Sequence, residues 1–192
     1  MPVFPGDPPA TLTPVANIDK AGYNDHEIKT YMHVGTHMDA PLHMIANGKK
    51  MDEISLDKFM GTGVVIDARG KPVINASILE DIDIKPGSIL LIYTGFADKF
   101  GKPDYDHNQP TITEDFAQKA VELKVKIVGM DILGPDQPPF PTHKTLLGNE
   151  VLIMENLTNL DLLLNENNFE IIALPMKLHA DAAPVRVLAK LF

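Results

Sequence analysis

One short segment constrains the fold of this chain more than any other, because its potential metal ligands follow the period of a β-strand. Residues 33–43 read HVGTHMDAPLH, and every potentially chelating side chain has an odd number. Successive side chains of an extended strand point to opposite faces, so these ligands are expected to share one face. In a helix, Asp39 would project away from His33 and His37. The four predicted ligands are His33, His37, Asp39 and His43.

This group of side chains predicts a metal site. Two histidines and one carboxylate form a common catalytic metal sphere that leaves positions open for water and substrate. When the ion is zinc, its bound water can lose a proton near neutral pH and becomes a nucleophile for amide or ester hydrolysis. The same nitrogen and oxygen ligands also accept manganese.

The composition excludes several other classes of protein. With 192 residues and 44% apolar content, the chain is expected to form one domain, residues 1–192. The absence of cysteine removes disulfides, thiolate nucleophiles and Cys-type zinc sites, and it suits the cytoplasm. The net charge of −9 without a basic stripe argues against nucleic-acid binding. No signal peptide or membrane span is visible, so a small molecule is the expected partner.

Apolar runs and helix signals predict an α/β fold with a mixed β-sheet and few helices. Polar residues at strand ends, among them Asp39, Thr94, Asp131 and Glu155, are the expected site builders. A helix that Thr113 caps is predicted after residue 113, with a capping-box turn at 77–80 and a helical turn at 143–147. Strands are predicted at 28–38, 63–67, 88–94, 126–131, 151–154, 169–174 and 185–188.

The same segment resembles the signature of the "putative cyclase" superfamily, H-x-G-T-H-x-D-x-P-x-H. This superfamily includes bacterial kynurenine formamidase (arylformamidase) and isatin hydrolase. Further segments along the chain are similar to the family's other motifs, in the same order. These are PVFPGD at 2–7, LIYTGF at 91–96, GMD at 129–131, the H-x11-E element from His143 to Glu155, and AAPVR at 182–186.

The resemblance implies a swivelling β/β/α fold and a role for each matching residue. His33, His37 and Asp39 would hold a first metal ion, and Asp39 would also bridge to a second ion bound by His143 and Glu155. His43 would be the acid/base of the reaction, and Phe4 would pack on an aryl substrate in place of the family's tryptophan. Homodimers or homotetramers are implied as well. Gly134 and His179 also depart from the family's pattern.

Three functions are therefore compatible with the sequence. The first is a metal-dependent hydrolase that converts N-formylkynurenine to kynurenine and formate, or that opens another cyclic amide, ester or lactone such as isatin. The second is a non-haem iron oxygenase that uses His37, Asp39 and His143. The third is a metal-dependent binder without catalytic activity, in which Gly134 and His179 mark a lost reaction.

Overall fold

The chain folds around a mixed β-sheet of eight strands. The computed structural model describes residues 3, 6–102, 105 and 107–192, and the predicted α/β class with few helices is confirmed. Two further pairs of strands lie outside that sheet. The strands of the described chain are β1 (Thr11–Ala16), β2 (Asp25–Lys29), β3 (His37–Asp39), β4 (Met60–Asp67), β5 (Val73–Ile74), β6 (Ile89–Tyr93), β7 (Thr111–Ile112), β8 (Ile127–Met130), β9 (Leu152–Glu155), β10 (Phe169–Ile172), β11 (Ala182–Pro184) and β12 (Leu188–Leu191).

The helices are short and lie mainly between parallel strands. They are α1 (Ile18–Ala21), α2 (Glu114–Glu122) and α3 (Pro141–Gly148). α2 lies between β6 and β8 along the chain, and α3 lies between β8 and β9, as crossovers between parallel strands require. Short 3-10 helices occur at Pro41–His43, Met51–Glu53, Leu56–Phe59, Ala76–Leu79, Phe96–Lys99 and Leu160–Leu163.

The sheet has a parallel centre and antiparallel margins. Its strand order is β11-β3-β9-β8-β6-β4-β10-β12. The four strands β9, β8, β6 and β4 are parallel, whereas β3 and β11 on one side and β10 and β12 on the other pair antiparallel. A parallel centre is buried on both faces, which explains why β6 and β8 are nearly continuous apolar runs.

Each face of the sheet carries a hydrophobic core. Along β6, Leu90 and Ile92 enter the core that also contains Phe116 of α2, which we call the helix-side core. Ile89 and Leu91 enter the core on the opposite face, the far-side core. Burying a side chain of this size stabilises the fold by about 1.5–3 kcal/mol. Both cores therefore hold the central strands in place, and the ends of these strands become a rigid platform.

The hairpin of β1 and β2 lies outside both cores. No residue from 11 to 29 is buried, and Leu12, Ile18 and Ile28 are more than 60% exposed. An isolated two-stranded hairpin is at best marginally stable in water. This segment therefore presents apolar side chains that its own chain does not cover.

Most of the predicted strands and helices are present, with three corrections. The predicted strand 28–38 is wrong, because the chain turns between β2 and β3, where Gly35 adopts a left-handed φ of 68°. The helical turn at 77–80 is capped by the side chain of Asn75, which accepts the Ser77 N–H, rather than by Ser77. Residues 185–187 connect β11 to β12, so the predicted strand 185–188 overlaps an observed strand only at Leu188. Within the described ranges, no helix is long and apolar enough to cross a membrane.

Candidate metal centre and active site

Two neighbouring strands place three polar side chains on the helix-side face of the sheet. In the antiparallel pair of β3 and β9, His37 lies opposite Glu155. Met38 points into the far-side core, so His37 and Asp39 on either side of it point to the helix side. The same alternation sends Met154 to the far side and Glu155 to the helix side. The strand register thus concentrates one imidazole and two carboxylates at one place.

His33 and His43 reach this place from irregular segments. The prediction that residues 33–43 form one continuous strand is wrong, because only 37–39 are extended and Pro41–His43 is a 3-10 helix. Pro41 has no N–H to continue the ladder. The side chains nevertheless converge, with the His33 and His43 ring centroids 4.1 Å apart. His33 Nδ1 lies 3.2 Å from His37 Nε2 and 3.0 Å from Asp39 Oδ1.

Glu155 joins this group to a histidine of α3. Its Oε2 lies 3.3 Å from His37 Nε2, and its Oε1 lies 3.4 Å from His143 Nε2. One ligand atom each from Asp39, His43 and His143 also lies within 4.8 Å of the others. The structure thus brings together all six predicted side chains that it describes, namely His33, His37, Asp39, His43, His143 and Glu155.

Hydrogen bonds on the outside of the cluster orient two of the imidazoles. His37 Nδ1 donates to the carbonyl oxygen of Gly35 over 2.8 Å. His143 Nδ1 donates to Asp136 Oδ1 over 2.5 Å, and the other oxygen of Asp136 accepts the Thr142 N–H. Each bond uses the outer ring nitrogen and leaves Nε2 directed at Glu155. Metal-binding histidines in proteins have this arrangement, in which the outer hydrogen bond selects the tautomer.

Asp39 is a buried carboxylate without a hydrogen bond. Its side chain has no exposed area, and neither oxygen accepts a hydrogen bond from any described residue. Burial raises the pKa of Asp39, but the imidazoles of His33 and His37 lower it more, so its net pKa lies far below the usual range. An ionised carboxylate in such a position is costly unless a cation neutralises it. His33 Nδ1 and His37 Nε2 lie 3.0 and 3.4 Å from Asp39 Oδ1, and a buried carboxylate without a hydrogen bond among these imidazoles fits a metal ion.

The carboxylates also change the pKa values of the histidines. Burial lowers the pKa of His143, but Asp136 and Glu155 raise it more, to about 9. Burial also lowers the pKa of His37, but Asp39 and Glu155 raise it more, so this pKa lies well above 6.5. His43 differs, because burial lowers its pKa and no carboxylate compensates fully. The lowered pKa therefore favours a neutral His43 imidazole near pH 7.

A cavity of about 310 Å³ opens above the cluster. Its polar part includes four members of the cluster, His33, His43, His143 and Glu155, together with Asp7, Gln109, Asp136 and Gln137. Its apolar part comes from Met44, Leu133 and Phe140. A small concave site with a few convergent polar groups is typical of enzymes that act on small molecules. A larger groove of about 510 Å³, on the far side near Leu157 and Val185, contains none of the clustered histidines or carboxylates.

Four further residues that the sequence singled out lie outside the cluster or outside the described residues. Asp131 accepts hydrogen bonds from the Thr94 and Gly95 N–H groups and from the Thr94 hydroxyl, so it holds the turn after β6. His179 lies on the surface against Asp52. Gly134 borders the cavity, and Phe4 lies outside the described residues.

Sequence reasoning missed two carboxylates. Asp136, seven residues before His143, orients that histidine from the proline-rich loop that precedes α3. Asp181 lies next to the AAPVR segment and contacts both His33 and His43. The signal for Asp136 was an acidic residue shortly before the helix that carries a predicted ligand, His143. For Asp181 the only signal was its position beside a segment that resembles a family motif.

Comparison with known proteins agrees with this geometry. The family model described as "Putative cyclase" matches residues 1–137. The kynurenine formamidase of Delftia acidovorans is 33% identical over 98% of this chain and 91% of the relative. A structure described as a potential metal-dependent hydrolase with cyclase activity superposes with a TM-score of 0.82 at 30% identity, covering 98% of this chain and 90% of the other.

A second structural neighbour is an isatin hydrolase. Isatin hydrolase A from Labrenzia aggregata, bound to benzyl benzoate, has a TM-score of 0.85 at 25% identity, over 100% of this chain and 88% of the other. The matches to the formamidase and to both structures extend over nearly the whole chain, so they include the segments that carry the clustered histidines and carboxylates. The chain belongs to the "Putative cyclase" family.

Proposed function

We propose that this protein is a metal-dependent hydrolase of a non-peptide carbon–nitrogen bond, with N-formylkynurenine as its substrate and kynurenine and formate as its products. The observation that carries the proposal is the buried carboxylate of Asp39, which accepts no hydrogen bond from the described residues. It lies among imidazoles, of which those of His33, His43 and His143 border the cavity. The formamidase relatives support an amide substrate. The specific substrate is part of the proposal.

The donor atoms suit a divalent cation. His33, His37 and Asp39 would hold one ion, and His143 and Glu155, with Asp39 between the two groups, would hold a second. When bound, such a cation supplies Lewis-acid chemistry, because it lowers the pKa of a water and polarises an acyl oxygen. We propose zinc, since imidazole and carboxylate donors suit it, and manganese is the alternative.

His43 is the group placed to move protons. It borders the cavity beside His33 and His143, and its lowered pKa keeps its imidazole neutral near pH 7. A neutral imidazole accepts a proton from water as the water oxygen bonds to the formyl carbon. It then returns that proton to the aryl nitrogen as the carbon–nitrogen bond breaks. Formic acid, which ionises to formate by releasing a proton to water, and the free amine leave, and neutral His43 is regenerated.

The apolar part of the cavity supports an aryl substrate. Phe140 and Leu133 offer a surface for an aromatic ring beside the charged cluster, and the Phe140 ring lies edge-on to that of His143 at a centroid distance of 5.6 Å. Phe4 would add a further aromatic contact. Isatin, a cyclic aryl amide, is the second candidate substrate. An isatin hydrolase bound to benzyl benzoate shares the fold of this chain, which supports this candidate.

The proposal is tested on protein reconstituted with zinc or manganese. We expect formate release from N-formylkynurenine and metal content of one to two ions per chain by elemental analysis. Ring opening of isatin without formamidase activity would replace the substrate and retain the hydrolase. Oxygen consumption with iron would instead favour the oxygenase, and tight binding without turnover of amides, lactams or lactones would favour the binder.

We also propose a homo-oligomeric, cytoplasmic enzyme. The exposed apolar side chains of the β1–β2 hairpin support a contact with a second copy of the chain. Light scattering of the purified protein tests this, and Ile28→Lys should shift the equilibrium toward monomer if the hairpin forms the contact.

A further inference from the structure

Asp181 contacts two histidines of the cluster with one oxygen atom. Its Oδ2 lies 2.9 Å from His33 Nε2 and 3.5 Å from His43 Nδ1. The backbone of Asp181 is held independently of its side chain, because its carbonyl oxygen accepts the Ala40 N–H over 2.8 Å. The next residue, Ala182, pairs with Asp39 between β11 and β3. The carboxylate is therefore attached to the same strand pair that carries the metal site.

We infer that Asp181 is a positioning residue that fixes His33 as a metal ligand and His43 as the proton carrier, each through one ring nitrogen. This inference rests on the proposed function for His43 and on the ligand role of His33. One carboxylate would then fix the ring orientations of both a metal ligand and the acid/base.

The effect on His33 follows from its two ring nitrogens. His33 Nε2 donates to Asp181, which leaves Nδ1 facing His37 and Asp39. Without Asp181, the neutral ring can place its proton on either nitrogen and can rotate. A carboxylate on the outer nitrogen removes this freedom and increases the basicity of the inner one. Asp181 thus accepts a hydrogen bond from the outer ring nitrogen of His33, as Asp136 does from the outer ring nitrogen of His143.

The effect on His43 follows from the sharing of Oδ2. The His43 and His33 rings are tilted by 38° at a centroid distance of 4.1 Å, and the carboxylate lies at the edge of both. A contact at His43 Nδ1 directs Nε2 of that ring away from Asp181. Rotation of His43 would break this contact, so the carboxylate limits the ring to one orientation.

The first experiment measures zinc affinity and histidine tautomers, neither of which requires a substrate. Asp181→Ala should weaken zinc binding by about 10- to 100-fold, the range found for residues that orient metal ligands. Histidine ¹H–¹⁵N spectra of the zinc-loaded protein should lose the Nε2-protonated signature of His33, and Asp181→Asn, which keeps an oxygen acceptor, should retain part of it. Asp52→Ala is the matched control, because Asp52 contacts His179 in the same way outside the cluster.

The second experiment separates the two histidines. At saturating zinc, Asp181→Ala should still reduce kcat by about tenfold, whereas in a His43→Ala background it should cause no further loss. Full recovery of kcat by zinc would restrict the role to His33 and overturn the His43 half of the inference. An additive loss in the double variant would overturn it too.

The inference as a whole is overturned if Asp181→Ala binds zinc like the parent protein and keeps the His33 signature. Failure of the proposed function has a different outcome. If neither N-formylkynurenine nor isatin is hydrolysed, the zinc affinity and tautomer measurements still decide the part that concerns His33.

Discussion

The candidate site has an inner and an outer group of residues, and they differ in how the fold holds them. The inner group lies on strands and a helix, and its side chains are at most 6% exposed. The outer group lies on a turn, a bend and a 3-10 helix near the cavity, with side chains 24–41% exposed. The inner group is His37, Asp39, His143 and Glu155, and the outer group is His33, His43 and Asp181.

This difference separates two tasks. Buried charges must be neutralised, so the inner group favours a cation strongly and tolerates little change. Partly exposed imidazoles exchange protons with water and substrate at little cost, so the outer group is suited to proton transfer. We therefore expect changes to the inner group to affect metal binding most, and a change to His43 in the outer group to affect the reaction rate most.

The largest expected effect comes from the inner group. His37→Ala should weaken zinc binding by more than about 100-fold, because changes to residues that merely orient ligands already cost about 10- to 100-fold. Activity should be lost with the metal. Competition with a chelator measures the affinity, and His179→Ala is the control for loss of an imidazole elsewhere. Retention of zinc by His37→Ala would remove His37 from the ligand set.

The acid/base should show the opposite pattern. His43→Ala should retain zinc but lose kcat by about 10²- to 10⁴-fold, the usual contribution of general acid–base catalysis. Steady-state kinetics at saturating zinc, together with metal analysis of the same sample, test this. Hydrolysis at the full rate would show that another group transfers the proton.

The pKa shifts predict how zinc affinity depends on pH. In the metal-free protein the raised pKa values of His37 and His143 keep both imidazoles protonated at pH 7. Zinc must displace these protons, so affinity should rise by roughly tenfold per pH unit for each proton displaced, up to about pH 9. Metal should be lost below about pH 6, since imidazoles must be neutral to coordinate. Calorimetry in buffers of different ionisation enthalpy counts the released protons, and full occupancy at pH 5 would contradict the prediction.

The stability of the metal-free protein should change with pH in the opposite direction. A histidine whose pKa is raised by folding contributes stability below its unfolded pKa of about 6.5 and loses it as the pH rises through its folded value. For His143 that window ends at about pH 9. The melting temperature of metal-free protein should therefore fall between about pH 6.5 and 9, whereas zinc should reverse the trend. A flat profile in both forms would mean that the carboxylates do not shift His143.

The smallest expected effect tests the packing of the inner group. A Cβ at Gly134 would lie 3.1 Å from Glu155 Oε1, closer than most such contacts. Gly134→Ala should displace this carboxylate slightly and weaken zinc binding by a few-fold, or less than about 1.4 kcal/mol. Gly148→Ala is the control, because its Cβ would meet only Ile45 at an ordinary 3.5 Å. Unchanged affinity in Gly134→Ala would mean that Glu155 has room to move.

The spacing of ligands in the sequence predicted which side chains meet but not how they meet. The prediction that alternate residues share one strand face was correct for His37 and Asp39, which flank Met38 on β3. For His33 and His43 it was coincidental, because Gly35 and Pro41 end the strand on either side. Local alternation cannot show that a turn and a 3-10 helix return two rings to the same place.

Partners distant in the chain were beyond local patterns. His33 and Asp181 are separated by 148 positions, and they meet because β11 pairs with β3. That pairing depends on the packing of the whole sheet, which no local pattern of this sequence specifies. Central strands were predicted well, since burial on both faces leaves a continuous apolar run that a sequence displays directly.

The alternation along β3 and β9 has a consequence for how this enzyme can change over time. Met38 lies between two proposed ligands and Met154 beside a third, so neighbouring positions on these strands serve the core and the metal site in turn. A substitution there should impair folding or metal binding, so these strand positions offer little room for mutations that select new substrates. Variation is open at Met44, Leu133 and Phe140, which line the cavity from turns and loops. Mutant libraries aimed at a new aryl amide should be built at those three positions.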